Sequence, residues 1–283
     1  MQTKSNQEAI VIKFGGGLIT DKNTHLPTLR PRILQQLAAA VRRALDTSEH
    51  ISAIYLVHGA GSFGHPKSKQ WNLAQGRVHN TRYTAKEQWD AVRSVRTDMK
   101  KLASHVTAAL MHEGLTVVSH PPHLWARNVG PQFHGDISRL QPRNRCDISL
   151  TWGDPVNVDG PLEFGILSGD DIVVRLATEM PDVKRLVFCV GGGVDGLLRT
   201  PPDSSTTRED LITEWCPSTV WEGKHNTAVD VTGGIGLKAE RGALVKEICP
   251  HVSVLIINGE VPHRVHGALV GQDVIGTKVR ARL

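Results

Sequence analysis

Residues 9–17 read AIVIKFGGG and residues 51–64 read ISAIYLVHGAGSFG. Each is a short β-branched run that breaks into glycines. The apolar residues are continuous rather than alternating, which is the pattern of a strand buried on both faces, as in a parallel sheet. LTVVS (115–119), FGIL (164–167), RLVFCV (185–190) and VSVLIIN (252–258) repeat the pattern. Helical periodicity lies between them. Residues 31–46 start at Pro31 and place Ile33, Leu34, Leu37, Val41 and Leu45 on one face. Residues 83–113 carry Trp89, Val92, Met99, Leu102, Val106 and Leu110 and stop before Gly114. Residues 169–180 and 233–248 supply two more helices. Strands alternating with helices predict an α/β layered fold.

Composition narrows the classes. The chain has 283 residues, 40% of them apolar and 22% charged, which is ordinary globular usage. The net charge of +5 suits an anionic small ligand and is too weak to indicate nucleic acid. No apolar run approaches the ~20 residues of a membrane span, and the N-terminus lacks the apolar core of a signal peptide. Cys146, Cys189, Cys216 and Cys249 are widely spaced, which reads as a reduced, cytoplasmic protein. The breaker cluster RTPPDSSTTRE (199–209) reads as an exposed loop, and 120–162 as irregular with a β-hairpin over ISLTWGDPVNVDGPLEFGIL. Neither is a linker, so one continuous domain over 1–283 is expected.

The 27 glycines cluster where strands end. Gly15, Gly16 and Gly17 follow the first strand, between Lys13 and Lys22; glycine lets backbone N–H groups approach a phosphate, and the lysines add charge. HGAGSFGHP (58–66) formally contains G-x-G-x-x-G. A dinucleotide fingerprint should open a helix at once, whereas Pro66 and a polar stretch follow here, so a second phosphate cradle beside His65 is the better reading. Ser168-Gly169-Asp170-Asp171 has the form of a capped helix start. Gly191-Gly192-Gly193 and Asp230–Lys238 complete the set, with Lys238 in the first turns of a helix. Together they predict one crevice at the carboxyl ends of the strands, holding several phosphates. HPPH (120–123) and HRVH (263–266) have paired histidines but no third ligand, so no residue is assigned to a metal. Trp71, Trp89 and Trp125 read as core packing before they read as a pocket, and Asp154 serves equally as a substrate neighbour or as a support of the hairpin.

The ordered set KFGGGLITDK (13–22), HGAGSFGHP (58–66), WGDPV (152–156), ILSGDDIV (166–173), VDG (194–196) and DVTGGIGLK (230–238), with GT at 276–277, resembles the amino acid kinase superfamily, and within it the isopentenyl phosphate kinase branch. The resemblance implies a three-layer αβα sandwich with a mostly parallel central sheet, generally a homodimer. It also implies transfer of a phosphoryl group from ATP, with Mg²⁺, to a prenyl monophosphate. It assigns Lys13, Phe14, Gly15, Gly16, Gly17, Gly61, Gly234 and Lys238 to the nucleotide. Ala60, His65 and Gly169 go to the acceptor, and Lys22 to the transferring phosphoryl group, with Lys13 and His65 beside it in the catalytic set. Two positions depart from the pattern: Gly17 stands where the family has serine, and Gly193 where it has a nucleotide-contacting aspartate. A kinase for another small phosphate or phosphonate of the fosfomycin type, or a nucleotide sensor without turnover on the same fold, are the alternatives. The apolar bulk expected to set tail length falls in residues 69–100.

Overall fold

A computed structural model describes residues 7–21, 24, 26–77, 83–145, 147–202, 206–219, 221 and 234–282. In chain order its elements are β1 (Glu8–Phe14), α1 (Gly16–Ile19), α2 (Pro31–Thr47), β2 (Ile51–His58), α3 (Gly61–Gln70), α4 (Ala85–His112), β3 (Thr116–Ser119), β4 (Ala126–Arg127), β5 (His134–Gly135), β6 (Asp147–Trp152), β7 (Asp154–Asn157), β8 (Phe164–Leu167), α5 (Gly169–Glu179), β9 (Val183–Val190), β10 (Glu214–Trp215), α6 (Gly234–Ile248), β11 (Ser253–Asn258), α7 (Pro262–Leu269) and β12 (Thr277–Val279). The central sheet runs β10-β12-β11-β9-β1-β2-β6-β3. Every pairing in it is parallel except β11 with β12.

The period-2 alternation of β1 splits the interior in two. Ile10, Ile12 and Phe14 pack with α2, α4 and α7; Ala9 and Val11 pack with α5 and α6. The helices therefore cover both faces of the sheet, which is the αβα sandwich expected from the sequence. The same alternation puts Lys13 on the α5 side, at the carboxyl end of β1. Thr84 opens α4 with a reciprocal capping box to Glu87, and Ser168 caps α5 through the Asp170 N–H. Among the described residues no helix is long and apolar enough to cross a membrane.

Several local expectations change. FGIL is β8 of a second, small sheet, ordered β5-β4-β7-β8, and LTVVS is an exposed edge strand rather than a buried one. The hairpin expected within 148–167 is confined to β7 and β8. The residues before it form β6, a fully buried strand parallel to β2. Its Asp147, Ser149 and Thr151 disguise it. They are buried polar residues; Asn144 satisfies Asp147, and Thr151 donates to the His120 carbonyl. A helix does open at Gly61 despite Pro66, which sits inside α3. Proline there removes the N–H that would bond back one turn, but burial of Phe63, Gly64, His65 and Ser68 holds the short helix in place. The objection to a helix-opening glycine motif therefore fails.

Candidate active site

The carboxyl ends of β11, β9, β1, β2 and β6 share one edge, and a crevice of about 690 Å³ lies along it. Its walls include Lys13, Gly15, Gly16, Gly17, Ala60, His65, Gly169, Gly234 and Lys238, so most of the residues expected from the sequence come together. Phe14 does not line it; its side chain is fully buried in the core. Gly61 lies behind the wall, where a Cβ would stand 1.9 Å from Thr20 Oγ1 and 2.6 Å from the Gly16 carbonyl oxygen. Lys22 and residues 230–233 of the last motif lie outside the described residues.

The glycines meet one another as well as a ligand. A Cβ on Gly16 would fall 2.3 Å from the Gly61 nitrogen, and one on Gly59 would fall 2.6 Å from the Gly16 nitrogen. The loops after β1 and β2 thus touch backbone to backbone. Thr20 locks them further: its hydroxyl donates to the Gly16 carbonyl (2.8 Å) and accepts from the Ser62 N–H (3.0 Å).

Charge is concentrated beneath these loops. Lys13 Nζ lies 2.5 Å from Asp170 Oδ1, and Lys238 Nζ lies 3.4 Å from Asp170 Oδ2. Burial, opposed by the attraction of Asp170 and aided by the repulsion of Lys238, leaves the Lys13 ammonium lowered to about 8. Burial alone would raise the Asp170 carboxyl; the two ammonium groups outweigh it and hold it below the usual range. One carboxylate thus sets the spacing of two cations that would otherwise repel. A sequence reading of Asp170 as a helix-start acid misses this, because its fit to the first turn of α5 is local and the lysines are not. Its neighbour Asp171 turns to Arg241 Nε at 2.6 Å.

The two ends of the crevice differ. Toward β2 and β6, Val95, Met99, Pro155, Ile166 and Leu167 make an apolar pocket beside His65. Val95 and Met99 fall in the stretch expected to control the tail. The tryptophans stay out of it: Trp71 packs on Tyr83, Trp89 on Phe164 and Trp125 on Phe133. Asp154 both lines the crevice and supports the hairpin, accepting from His123 Nδ1 at 2.6 Å. Toward β9 and β11, Gly192 and Gly193 have φ of +85° and +70°, with nothing within 4 Å of a Cβ added to either. Glu260 Oε1 closes this end, accepting from the Gly192 N–H (3.2 Å) and from Arg30 Nη1 (2.7 Å). No sequence signal marked Arg30 or Glu260. Among the described residues no group of His, Cys, Asp and Glu is arranged to hold a metal ion. His266 of the second histidine pair bonds Thr47 instead.

Comparison with known proteins agrees with this geometry. The chain is 31% identical over 279 residues to the isopentenyl phosphate kinase of Methanothermobacter thermautotrophicus, covering 96% of this chain and 99% of that protein. It is 28% identical to the isopentenyl phosphate kinase of Thermoplasma acidophilum, covering 96% and 100%. An X-ray structure of an isopentenyl phosphate kinase superposes with a TM-score of 0.76 at 25% identity, covering 96% of this chain and 99% of that one. The profile of the amino acid kinase family matches residues 8–255, a span that takes in β1 through the first half of β11 and both lysines of the charged cluster. A crevice walled by glycine loops, two lysines sharing one aspartate, and a family match over most of the sheet lead to one conclusion: the chain belongs to the amino acid kinase family.

Proposed function

We propose that this protein transfers the γ-phosphoryl group of ATP to isopentenyl phosphate, giving the diphosphate and ADP. The observation that carries this reading is the Lys13–Asp170–Lys238 cluster, set under glycine loops at one end of a crevice whose other end is apolar. The relatives named isopentenyl phosphate kinase support the choice of acceptor. An apolar pocket beside a cationic floor suits a phosphate monoester with a short hydrocarbon tail better than it suits a small phosphonate. An assembled lysine pair argues against a sensor that has lost turnover.

Phosphoryl transfer asks the protein mainly for alignment and charge neutralisation. Lys13 and Lys238 would meet the nucleotide phosphates, with Gly15, Gly16, Gly17 and Gly234 offering backbone to them. Asp170 sits between the two ammonium groups and offsets their mutual repulsion. His65, Ala60 and Gly169 would hold the acceptor phosphate, which is already anionic and needs no strong base. Lys22 is assigned to the transferring group by resemblance, and Phe14 and Gly61 shape the loops from behind. Mg²⁺ enters as part of the nucleotide substrate. Asp170 is already engaged by two lysines, so no resident metal site is assigned and no step is routed through one. One continuous catalytic unit fits a crevice whose walls draw on residues 13 to 260. A cytoplasmic homodimer belongs to the same reading; unpaired Cys189, Cys216 and Cys249 suit a reducing compartment.

The test is ADP release with isopentenyl phosphate, compared with amino acids, carbamate, UMP and fosfomycin. Turnover confined to prenyl phosphates is expected; none with any prenyl phosphate sinks the reading.

A further inference from the structure

The β7–β8 hairpin packs against α4 at the apolar end of the crevice, with Pro155, Ile166 and Leu167 on one side and Val95 and Met99 on the other. Where the hairpin sits therefore sets the width available to a bound tail. Trp89 of α4 holds the hairpin's β8 side, packing on Phe164 and donating Nε1 to Glu163 (3.0 Å), and two further contacts hold its β7 side. Arg96 of α4 donates Nε to the Pro155 carbonyl (2.9 Å) and Nη2 to Asn157 Oδ1 (3.1 Å). Asp154, whose side chain is 0% exposed, accepts through Oδ2 from His123 Nδ1 at 2.6 Å and from the His123 N–H at 3.4 Å. Its Oδ1 is buried and has no hydrogen-bond partner among the described residues.

A buried carboxylate with one bare oxygen is an expensive way to hold a turn, because desolvation is only partly repaid by a single partner. Burial raises the Asp154 carboxyl, and His123 and then Arg96 oppose it. The partner comes from outside the hairpin: His123 lies in the single turn Pro122–Leu124 that follows β3. The histidine spacing that resembled a metal motif is thus used differently. His123 serves Asp154, and the His120 carbonyl accepts from Thr151 Oγ1 and Trp125 Nε1.

We propose that Asp154 and His123 are positioning residues for the acceptor, holding the hairpin wall at the distance from α4 that fits a short prenyl tail. This rests on reading the crevice as a prenyl phosphate site. The charged cluster at the other end is built without them, so the pair governs acceptor affinity and tail selection while nucleotide binding is independent of it.

Steady-state kinetics of the full chain test this. His123→Ala removes the side-chain donor and leaves Asp154 only the backbone N–H of residue 123, at 3.4 Å. KM for isopentenyl phosphate should rise roughly tenfold, the effect of losing one buried hydrogen bond, with KM for ATP unchanged. Preference should shift toward longer prenyl phosphates. His123→Asn keeps a donor near the place of Nδ1 and should restore most of the acceptor KM. Calorimetric binding of isopentenyl phosphate without ATP should weaken in His123→Ala and recover in His123→Asn. Asp154→Asn, which keeps the shape and an acceptor oxygen, separates charge from packing if His123→Ala fails to fold; its acceptor KM should rise with its melting temperature held. Equal rises in both KM values, or an unchanged acceptor KM in variants that fold, overturn the inference while wild-type turnover leaves the function standing. A wild-type protein inactive on every prenyl phosphate overturns both.

Discussion

Gly16 and Gly61 sit at one end of the crevice edge and Gly192 and Gly193 at the other, and they are glycines for different reasons. Gly16 and Gly61 are crowded: a Cβ on either would collide with the backbone of the other's loop, and Gly61 adds a left-handed φ of +51° to that crowding. Gly192 and Gly193 are open, with free space around them but φ values that L residues seldom adopt. In the first pair glycine lets two loops touch; in the second it lets one loop turn. A glycine run after a strand does not by itself mean a phosphate cradle, since at Gly16 and Gly61 the demand comes first from the neighbouring loop.

The crowded side also carries the chemistry, since Lys13 leads into it. Replacing Lys13 with methionine should give the largest effect, a loss of about 10²–10³ in kcat by analogy with removing one oxyanion donor. The melting temperature should also fall, because Lys13→Met leaves the buried Asp170 carboxylate with Lys238 alone, at 3.4 Å. Stopped-flow kinetics and calorimetry check both halves; a loss of stability with kcat unchanged would mean the cluster is a structural pair. Next, Gly16→Ala should cost roughly 2–3 kcal/mol by overpacking, read from denaturant unfolding, with turnover lost in step. Retention of full stability would show that the two loops can separate.

Acidity comes third. Lys13 titrates near 8 in the free protein, so its charge is present below that value and lost above it. Between pH 7 and 9, kcat/KM for ATP should therefore fall, by roughly tenfold at most for one charge. Bound phosphates favour the charged amine, so kcat should fall only at higher pH. A kcat/KM that is flat across this range would break the assignment of Lys13 to the nucleotide. Smallest is Gly193→Ala, about 1 kcal/mol of backbone strain with no clash. Gly193→Asp should cost less, because Asp tolerates a left-handed backbone. It should also lower KM for ATP if the open space at Gly193 is where a nucleotide-contacting carboxylate stands in relatives. If Gly193→Ala proved as damaging as Gly16→Ala, the distinction between crowded and open glycines would fail.

Much of this was legible in the sequence. The runs at 9–14, 51–57, 185–190 and 252–258 are central strands, and the Thr84 and Ser168 caps open the helices where the pattern placed them. β6 was hidden because its buried polar residues break the apolar run, and α3 because Pro66 argues locally against a helix that burial of Phe63 and His65 holds. Asp170 was legible as a helix-start acid and not as a counter-ion. His123 looked like half of a metal motif and proved to be a partner of Asp154.

Strand periodicity, glycine clustering and caps depend on residues near one another in the chain, so the sequence alone settled the layered fold, the edge that carries the crevice and most of its wall. The Lys13–Asp170–Lys238 spacing, the contact of the two glycine loops and the Asp154–His123 pair were decided only by tertiary structure. Each joins groups far apart in sequence, and its strength depends on burial: the same charges in water would be screened and nearly independent.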